Sequence, residues 1–312
     1  MQNQRRSHGK GARNIDAMID LHLHSKASDG TFSVSEIFEM AQSLGLKAIS
    51  ITDHDTTKSC REACSIGIPS SLEFITGVEI SAGSPPSYPC FGSLHILGYG
   101  IEPDNSELRG KLSELQDARK NRNPQIIERL NHIGIDISLA EINDMFQGSQ
   151  IGRPHIAKAM MKKGVVGSVD EAFERYIGRG GPAYADKYRI PCDQAIDAIH
   201  HAGGVAVLAH PILIKPVHSL PIENLISDLK DMGLDGLEVY YPEQFPNFIS
   251  FYADIAKQFD LLMTGGTDFH GAIKPDLQMG SGKGNFSVSY TLYEQLIHYG
   301  TLKSGTNAFL HF

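Results

Sequence analysis

Met18-Ile19-Asp20-Leu21-His22-Leu23-His24 decides the fold. An apolar run of strand character ends in two imidazoles one residue apart, and a period of two places both on the same side of a strand. The pattern recurs. Ala48-Ile49-Ser50-Ile51-Thr52 runs into Asp53-His54-Asp55, and Phe74-Ile75-Thr76-Gly77-Val78 runs into Glu79. His95 opens Ile96-Leu97-Gly98-Tyr99, Val205-Ala206-Val207-Leu208-Ala209 runs into His210, and Leu261 to Thr267 runs into Asp268-Phe269-His270. Each run reads as a buried parallel strand. Parallel strands of a closed or doubly wound sheet gather their carboxyl ends on one face, where ligands bind. His22, His24, Asp29, His54, Glu79, His95, His210, Asp268 and His270 are therefore expected to converge. Imidazole with carboxylate is the donor set of zinc, manganese and iron. The pattern points to a multinuclear metal hydrolase.

Outward from these runs, strands alternate with helices. Ser33-Val34-Ser35-Glu36 supplies a capping box for a helix ending near Leu44, with Gly45 as its stop. Strands are expected at 47–52, 73–80 and 94–101, with a short helix around 57–66. From Pro103 the texture becomes helical: Leu108, Leu112 and Leu115 fall at helical spacing, continued by Ile126, Ile127 and Leu130. Pro124 starts a second helix there or kinks one long one. Ser138-x-x-Glu141 and Ser168-x-x-Glu171 are further capping boxes, and residues 104–190 read as an all-helical insertion of four or five helices. The rhythm then resumes with helix 193–202, strand 205–209, helix 221–232, strand 235–240, helix 246–258 and strand 261–267, followed by a strand and a helix around 292–299. The expected architecture is α/β: seven strands, mostly joined by right-handed crossovers, in a closed or doubly wound sheet built from 17–103 and 191–312, interrupted by the 104–190 insertion, after a disordered basic tail at 1–16.

The bulk numbers agree. The 312 residues, 41% hydrophobic and 21% charged, suit a globular protein with a large core. No run approaches about 18 apolar residues, which excludes a membrane-spanning helix on these grounds. Cys60, Cys64, Cys90 and Cys192 lack CxxC spacing and read as reduced packing residues of a cytoplasmic protein. The net charge of −8 is uneven, since residues 104–190 hold 14 Lys and Arg against 12 Asp and Glu. An acidic body beside a mildly basic insert suits an anionic ligand arriving at a metal-loaded site, and not duplex DNA. Around the ligand set, Asp53 is expected to accept the second N–H of a metal-binding histidine, Asp55 to cap its loop, and Asp20 to be structural.

The motifs Asp20-Leu-His-Leu-His-Ser25, Ala27-Ser-Asp-Gly30, Ile51-Thr-Asp-His-Asp-Thr56, Gly77-Val-Glu-Ile-Ser81, His95-Ile-Leu-Gly98, Ala209-His-Pro211 and Gly266-Thr-Asp-Phe-His270 resemble, in order, those of the polymerase and histidinol phosphatase (PHP) family of phosphoesterases. The resemblance implies a distorted (β/α)7 TIM-like barrel with up to three divalent cations, manganese first and zinc or iron as alternatives. It implies one cation on His22, His24, Glu79 and Asp268, a second on Glu79, His95 and His210, and a third on Asp29, His54 and His270. Within the insertion, Ala118-Arg-Lys-Asn-Arg122 with Ile126-Ile-Glu-Arg-Leu130, then Arg153-Pro-His-Ile-Ala157 and Tyr176-Ile-Gly-Arg-Gly180, are similar to the subgroup of nucleoside 3′,5′-bisphosphate phosphatases and 5′-to-3′ exoribonucleases.

Arg119 and Arg122 lie about one turn apart on a helix, and guanidinium forks suit phosphate oxygens. Arg153 and His155 open a helix whose free N–H groups favour an anion. These four and Lys215 are the candidate substrate contacts. The expected reaction is metal-assisted hydrolysis of a nucleotide or short-RNA phosphoester, with water attacking phosphorus in line and Glu79, His210, Asp268 and His155 as catalytic candidates. Two other readings remain: a histidinol phosphatase or amidohydrolase, the latter disfavoured by the lack of a strand-end lysine, and a PHP module without catalysis, disfavoured by the complete ligand set.

Overall fold

The computed structural model describes residues 18–147, 149–242 and 246–304; the basic stretch 1–16 lies outside the described residues. The chain opens with β1 (Met18–Leu23), α1 (Val34–Ser43), β2 (Ala48–Ile51), α2 (Lys58–Ile66), β3 (Glu73–Gly83), the two-residue β4 (Cys90–Phe91) and β5 (Leu94–Tyr99). Next come α3 (Ser106–His132), α4 (Leu139–Met145), α5 (Arg153–Lys162) and α6 (Val169–Ala172), the last continued by a π-turn over Phe173–Ile177. The chain then forms β6 (Ile190–Pro191), α7 (Cys192–His201), β7 (Val205–Leu208), β8 (Lys215–Pro216), α8 (Ile222–Asp231), β9 (Gly236–Tyr240), α9 (Pro246–Gln258), β10 (Leu262–Gly265), β11 (Val288–Ser289) and α10 (Tyr290–Ser304).

The main sheet runs β10-β9-β7-β5-β3-β2-β1-β11, with β6 also paired to β3. It curls until its ends nearly meet. Beyond β10, Phe269 lies parallel to Leu23, and the His24 N–H donates to the Phe269 carbonyl at 3.0 Å. Gly266 permits this closure, because a Cβ there would stand 2.4 Å from the backbone nitrogen of His22. Ser33 and Glu36 form the anticipated capping box on α1, and Gly45 follows at φ +70°.

One direction differs from expectation. β5 runs antiparallel to both β3 and β7, so the sheet is not a strict repeat of parallel strand and helix. The chain between β3 and β5 is about ten residues with no helix, and a parallel return needs a crossover of a dozen or more. Apolar periodicity carries no information about direction. The reversal explains why His95 stands at the start of its strand while most other strand-borne candidates follow theirs: the first residues of β5 lie on the rim where the parallel strands end.

In the helical segment, α3 continues through Pro124 as one 27-residue helix. Its first half (Leu108, Leu112, Leu115) packs on the barrel cluster with Ile196 and Ile199. Its second half (Ile126, Leu130) joins a separate cluster with Ile142, Ile156, Met160 and Ile177. α3 is thus a rod shared by two hydrophobic bodies. Ser138 and Glu141 form a full capping box. Ser168 forms half of one, because the Glu171 carboxylate turns to the Gly167 N–H at 2.7 Å.

At the opposite end of the barrel, Asp235 holds the floor. It accepts from the Ala206 N–H (2.9 Å), His200 Nε2 and Tyr299 hydroxyl (both 2.8 Å) and the Lys303 ammonium. Burial opposes its charge, but the His200, Lys303 and Ala206 donors hold its pKa down to about 2. A depressed carboxylate stabilises the fold fully above the unfolded value near 4 and loses that contribution as pH falls through the folded value. Asp235→Asn is expected to lower unfolding free energy by roughly 2 kcal/mol at pH 6. The difference should close between pH 4 and pH 2, as read by urea unfolding across that range. A pH-independent difference would refute the assignment.

Candidate metal centre

The rim assembles around Glu79. Its Oε1 lies 2.8 Å from His95 Nδ1 and 3.0 Å from His210 Nε2. Its Oε2 lies 2.9 Å from His54 Nδ1, 3.3 Å from His24 Nε2 and 3.5 Å from His22 Nε2. Asp268 Oδ1 faces the same two β1 histidines at 3.2 Å (His24) and 3.5 Å (His22). Asp29 Oδ1 sits 3.3 Å from His270 Nε2, and its Oδ2 3.8 Å from His54 Nε2. All nine residues expected to converge do so. Three overlapping groups bring their donor atoms within 4.8 Å of one another: His22, His24, Glu79 and Asp268; His24, Asp29, His54 and His270; and His54, Glu79 and His95. The grouping differs slightly from the expectation, because His54 faces both the Asp29 and the Glu79 sides, and His210 joins through Glu79.

Several of these atoms fit a cation better than one another. Among the described residues, His22 Nε2, both ring nitrogens of His24, His54 Nδ1, Glu79 Oε2, His95 Nδ1 and His210 Nδ1 are buried without a hydrogen-bond partner. The short distances do not form hydrogen-bond geometry at these atoms. Orphaned buried polar atoms are costly, and divalent cations held by imidazole and carboxylate would satisfy them. Electrostatics agree. Burial works against a charged His24 ring, yet the Asp268 and Glu79 carboxylates hold its pKa up to about 9. Burial also opposes charge on Glu79 and Asp268, yet surrounding cationic groups hold both well below the usual carboxylate range. The backbone bends to present these groups: His210 and Asp268 adopt φ of +27° and +53°, rare for non-glycine residues.

Beside the Asp29, His54 and His95 edge lies a cavity of about 180 Å³, walled by Arg119, Arg122, Arg153 and Lys187. Arg122 is 2% exposed, and its guanidinium meets the Asn123 side-chain carbonyl. Burial, followed by the charges of Arg119, Arg153 and Arg189, pushes its pKa down to about 9. Arg153 stacks between the rings of Phe173 and Tyr184, 5.6 Å from each centroid. His155 is buried, and its Nδ1 accepts from the Gly152 N–H at 3.0 Å, which leaves Nε2 as the protonated nitrogen of the neutral ring. Burial lowers its pKa to about 4. Lys215 is exposed on β8 and does not line this cavity.

The PHP domain pattern matches residues 20–163. A 5′-3′ exoribonuclease of Haemophilus influenzae is 32% identical over 80% of this chain and 89% of its own length. A 3′,5′-nucleoside bisphosphate phosphatase of Chromobacterium violaceum is 30% identical over 81% of this chain and 87% of its own. The chain belongs to the PHP family. It is a metal-dependent phosphoesterase with the PHP fold. A solved Bifidobacterium adolescentis protein assigned as a metal-dependent phosphoesterase superposes with a TM-score of 0.77 at 28% identity, covering 90% of this chain and 96% of that one.

The layer behind this PHP site departs from the sequence reading in three places. Asp53 does not touch a ligand histidine; it accepts from Ser25 N–H (2.9 Å), Ser25 hydroxyl (2.6 Å) and Ser28 hydroxyl (2.5 Å), and so fixes the loop carrying Asp29. Asp55 pairs with Arg119 (2.9 Å from Nε, 2.6 Å from Nη2) and with Lys187 at 3.3 Å, besides accepting from the Ser81 N–H at 2.7 Å. Arg119 is therefore occupied by a rim carboxylate. The partner of the ligand histidines is Glu238, which the sequence reading missed. Its Oε1 sits 2.9 Å from His22 Nδ1, and its Oε2 accepts from the His210 N–H at 2.6 Å. A lone acid inside Gly236-Leu-Glu-Val-Tyr240 was the available signal. Asp20 is structural as expected, accepting from Thr267 N–H (2.9 Å), its hydroxyl (2.6 Å) and Gly280 N–H (2.8 Å).

Glu238 fixes His22 with Nε2 toward the cluster. Glu238→Gln is expected to weaken divalent-metal binding about 10–100-fold, measured by manganese titration against a competing chelator. Unchanged affinity would show that Glu238 does not orient the ring.

Proposed function

We propose that this PHP phosphoesterase hydrolyses nucleotide phosphoesters: the 3′-phosphate of nucleoside 3′,5′-bisphosphates, and the 5′-terminal linkage of short RNA. The observation that carries this reading is the arginine cavity opening beside the ligand cluster. Arg122, buried with no carboxylate partner among the described residues, is a cation held ready for a second phosphate, the 5′-phosphate common to both substrates. The relatives' names supply the nucleotide class. The same reading places the enzyme in the cytoplasm, in keeping with its unpaired cysteines.

Up to three divalent cations, manganese first, are assigned to His22, His24, Asp29, His54, Glu79, His95, His210, Asp268 and His270. When bound, such cations lower the pKa of water toward about 7 and offset charge on phosphoryl oxygens. The protein's own groups do the rest. Glu79 presents both oxygens to the centre and bridges its two sides. Asp268 is steadied by the Tyr241 hydroxyl at 3.0 Å and by Lys274 at 2.5 Å. Arg122 and Arg153 orient the far phosphate, with Arg153 pinned between two rings. Arg119 contributes by holding Asp55 and the cavity wall. His155 serves as a neutral donor from Nε2. Lys215, exposed on its short strand, is assigned at most to the outer path of a longer substrate. The helical segment caps the rim and excludes water from the cavity.

With manganese, adenosine 3′,5′-bisphosphate and short 5′-phosphorylated oligoribonucleotides should be turned over in preference to histidinol phosphate. His22→Ala with His24→Ala should abolish phosphate release; surviving turnover would leave the catalytic assignment wrong. Arg122→Met removes an unpaired buried charge, so the melting temperature should hold or rise. KM for the bisphosphate should increase about 10–100-fold, the worth of a charge-assisted hydrogen bond to phosphate, with p-nitrophenyl phosphate turnover retained. Equal losses on both substrates would contradict a second-phosphate site.

A further inference from the structure

A second and larger cavity, about 530 Å³, adjoins the candidate metal centre. Its inner end is His270, one of the candidate ligands, and it shares Pro154 and Phe173 with the arginine cavity. One wall comes from the helical segment (Lys158, Val169, Phe173), the other from the chain after β10 (Ile273, Lys274, Leu277, Lys283). The size lies within the range of ligand pockets. Phe173, Ile273 and Leu277 offer an apolar floor. Lys158 and Lys283 pair with no carboxylate among the described residues, while Lys274 holds Asp268. Two exposed acids, Asp170 and Asp276, also line the cavity, equal in number to the two unpaired lysines.

Resting on the nucleotide reading above, which already includes short RNA, we infer that this cavity takes the nucleotide downstream of the cleaved bond. A bisphosphate has two phosphates, and the ligand cluster and the arginine cavity account for both. Lys158 and Lys283, in the adjoining cavity, answer a third phosphate, which only a longer strand carries. An apolar floor beside a row of cations is how single strands are held without sequence preference. The chemistry is the same for both substrates. The oxygen of water bonds to phosphorus, the P–O3′ bond breaks, and the 3′ oxygen of the first nucleotide leaves with a proton from that water. In the oligonucleotide the cleaved phosphate stays on the downstream nucleotide as its 5′-phosphate.

The test is the Lys158→Ala, Lys283→Ala double variant, assayed with manganese on adenosine 3′,5′-bisphosphate and on a 5′-phosphorylated tetraribonucleotide. The ratio of kcat/KM for the tetranucleotide to that for the bisphosphate is expected to fall about tenfold, the loss of one to two charge-assisted phosphate contacts. An unchanged ratio overturns the inference, whether both activities persist or fall together. Parent protein that cleaves the bisphosphate and leaves the tetranucleotide intact overturns it too, while the phosphatase reading stands. Parent protein inactive on both substrates removes the nucleotide reading and this inference with it.

Discussion

The carboxylate of Glu79 is sealed from solvent, and both of its oxygens face imidazoles. A buried charge survives only where partners compensate it. Here the partners come from β1, the loop after β2, the reversed β5 and the segment after β7. Asp29 and Asp268 add two more buried carboxylates, so the rim concentrates negative charge that the neutral rings alone do not balance. Burial opposes charge on His22 and His24, yet the neighbouring carboxylates raise the pKa of both. Divalent cations held here would satisfy the orphaned nitrogens, in competition with protons for the same rings.

The barrel is shaped to deliver these groups. Non-glycine residues at positive φ, His210 and Asp268, turn their side chains inward as the chain leaves β7 and β10. Backbone of this kind persists where surrounding structure over-determines it. Glu238 supplies that for His210 through the His210 N–H, and Tyr241 and Lys274 grip the Asp268 carboxylate. The same Glu238 carboxylate orients His22, so one buried acid on β9 ties two ligand positions from different strands.

Asp55 joins the helical segment to the rim. Arg119 reaches it from α3 and Lys187 from the chain returning to the barrel, so both ends of the segment converge on a carboxylate next to ligand His54. The arrangement also divides the arginines by role. Arg119 holds Asp55, whereas Arg122, one turn on, lines the cavity with no carboxylate partner among the described residues. Two residues of the same type at neighbouring positions thus differ in their partners: Asp55 takes Arg119, and Asn123 takes Arg122.

The sequence by itself determined the convergence of His, Asp and Glu on the rim. His-x-His on a strand and repeated strand-end His, Asp and Glu are local patterns, and period-two geometry forces their convergence whatever the surrounding details. The capping boxes at Ser33 and Ser138 were legible for the same reason, since a cap is satisfied within four residues. Only the tertiary structure decided which residues stand behind the ligands. The direction of β5, the hold of Asp53 on Ser25, the service of Glu238 to His22 and the pairing of Arg119 with Asp55 all depend on contacts between residues far apart in the chain. A hydrogen bond across 216 positions leaves no periodic trace. Local spacing records what a residue presents, and only packing fixes what it meets.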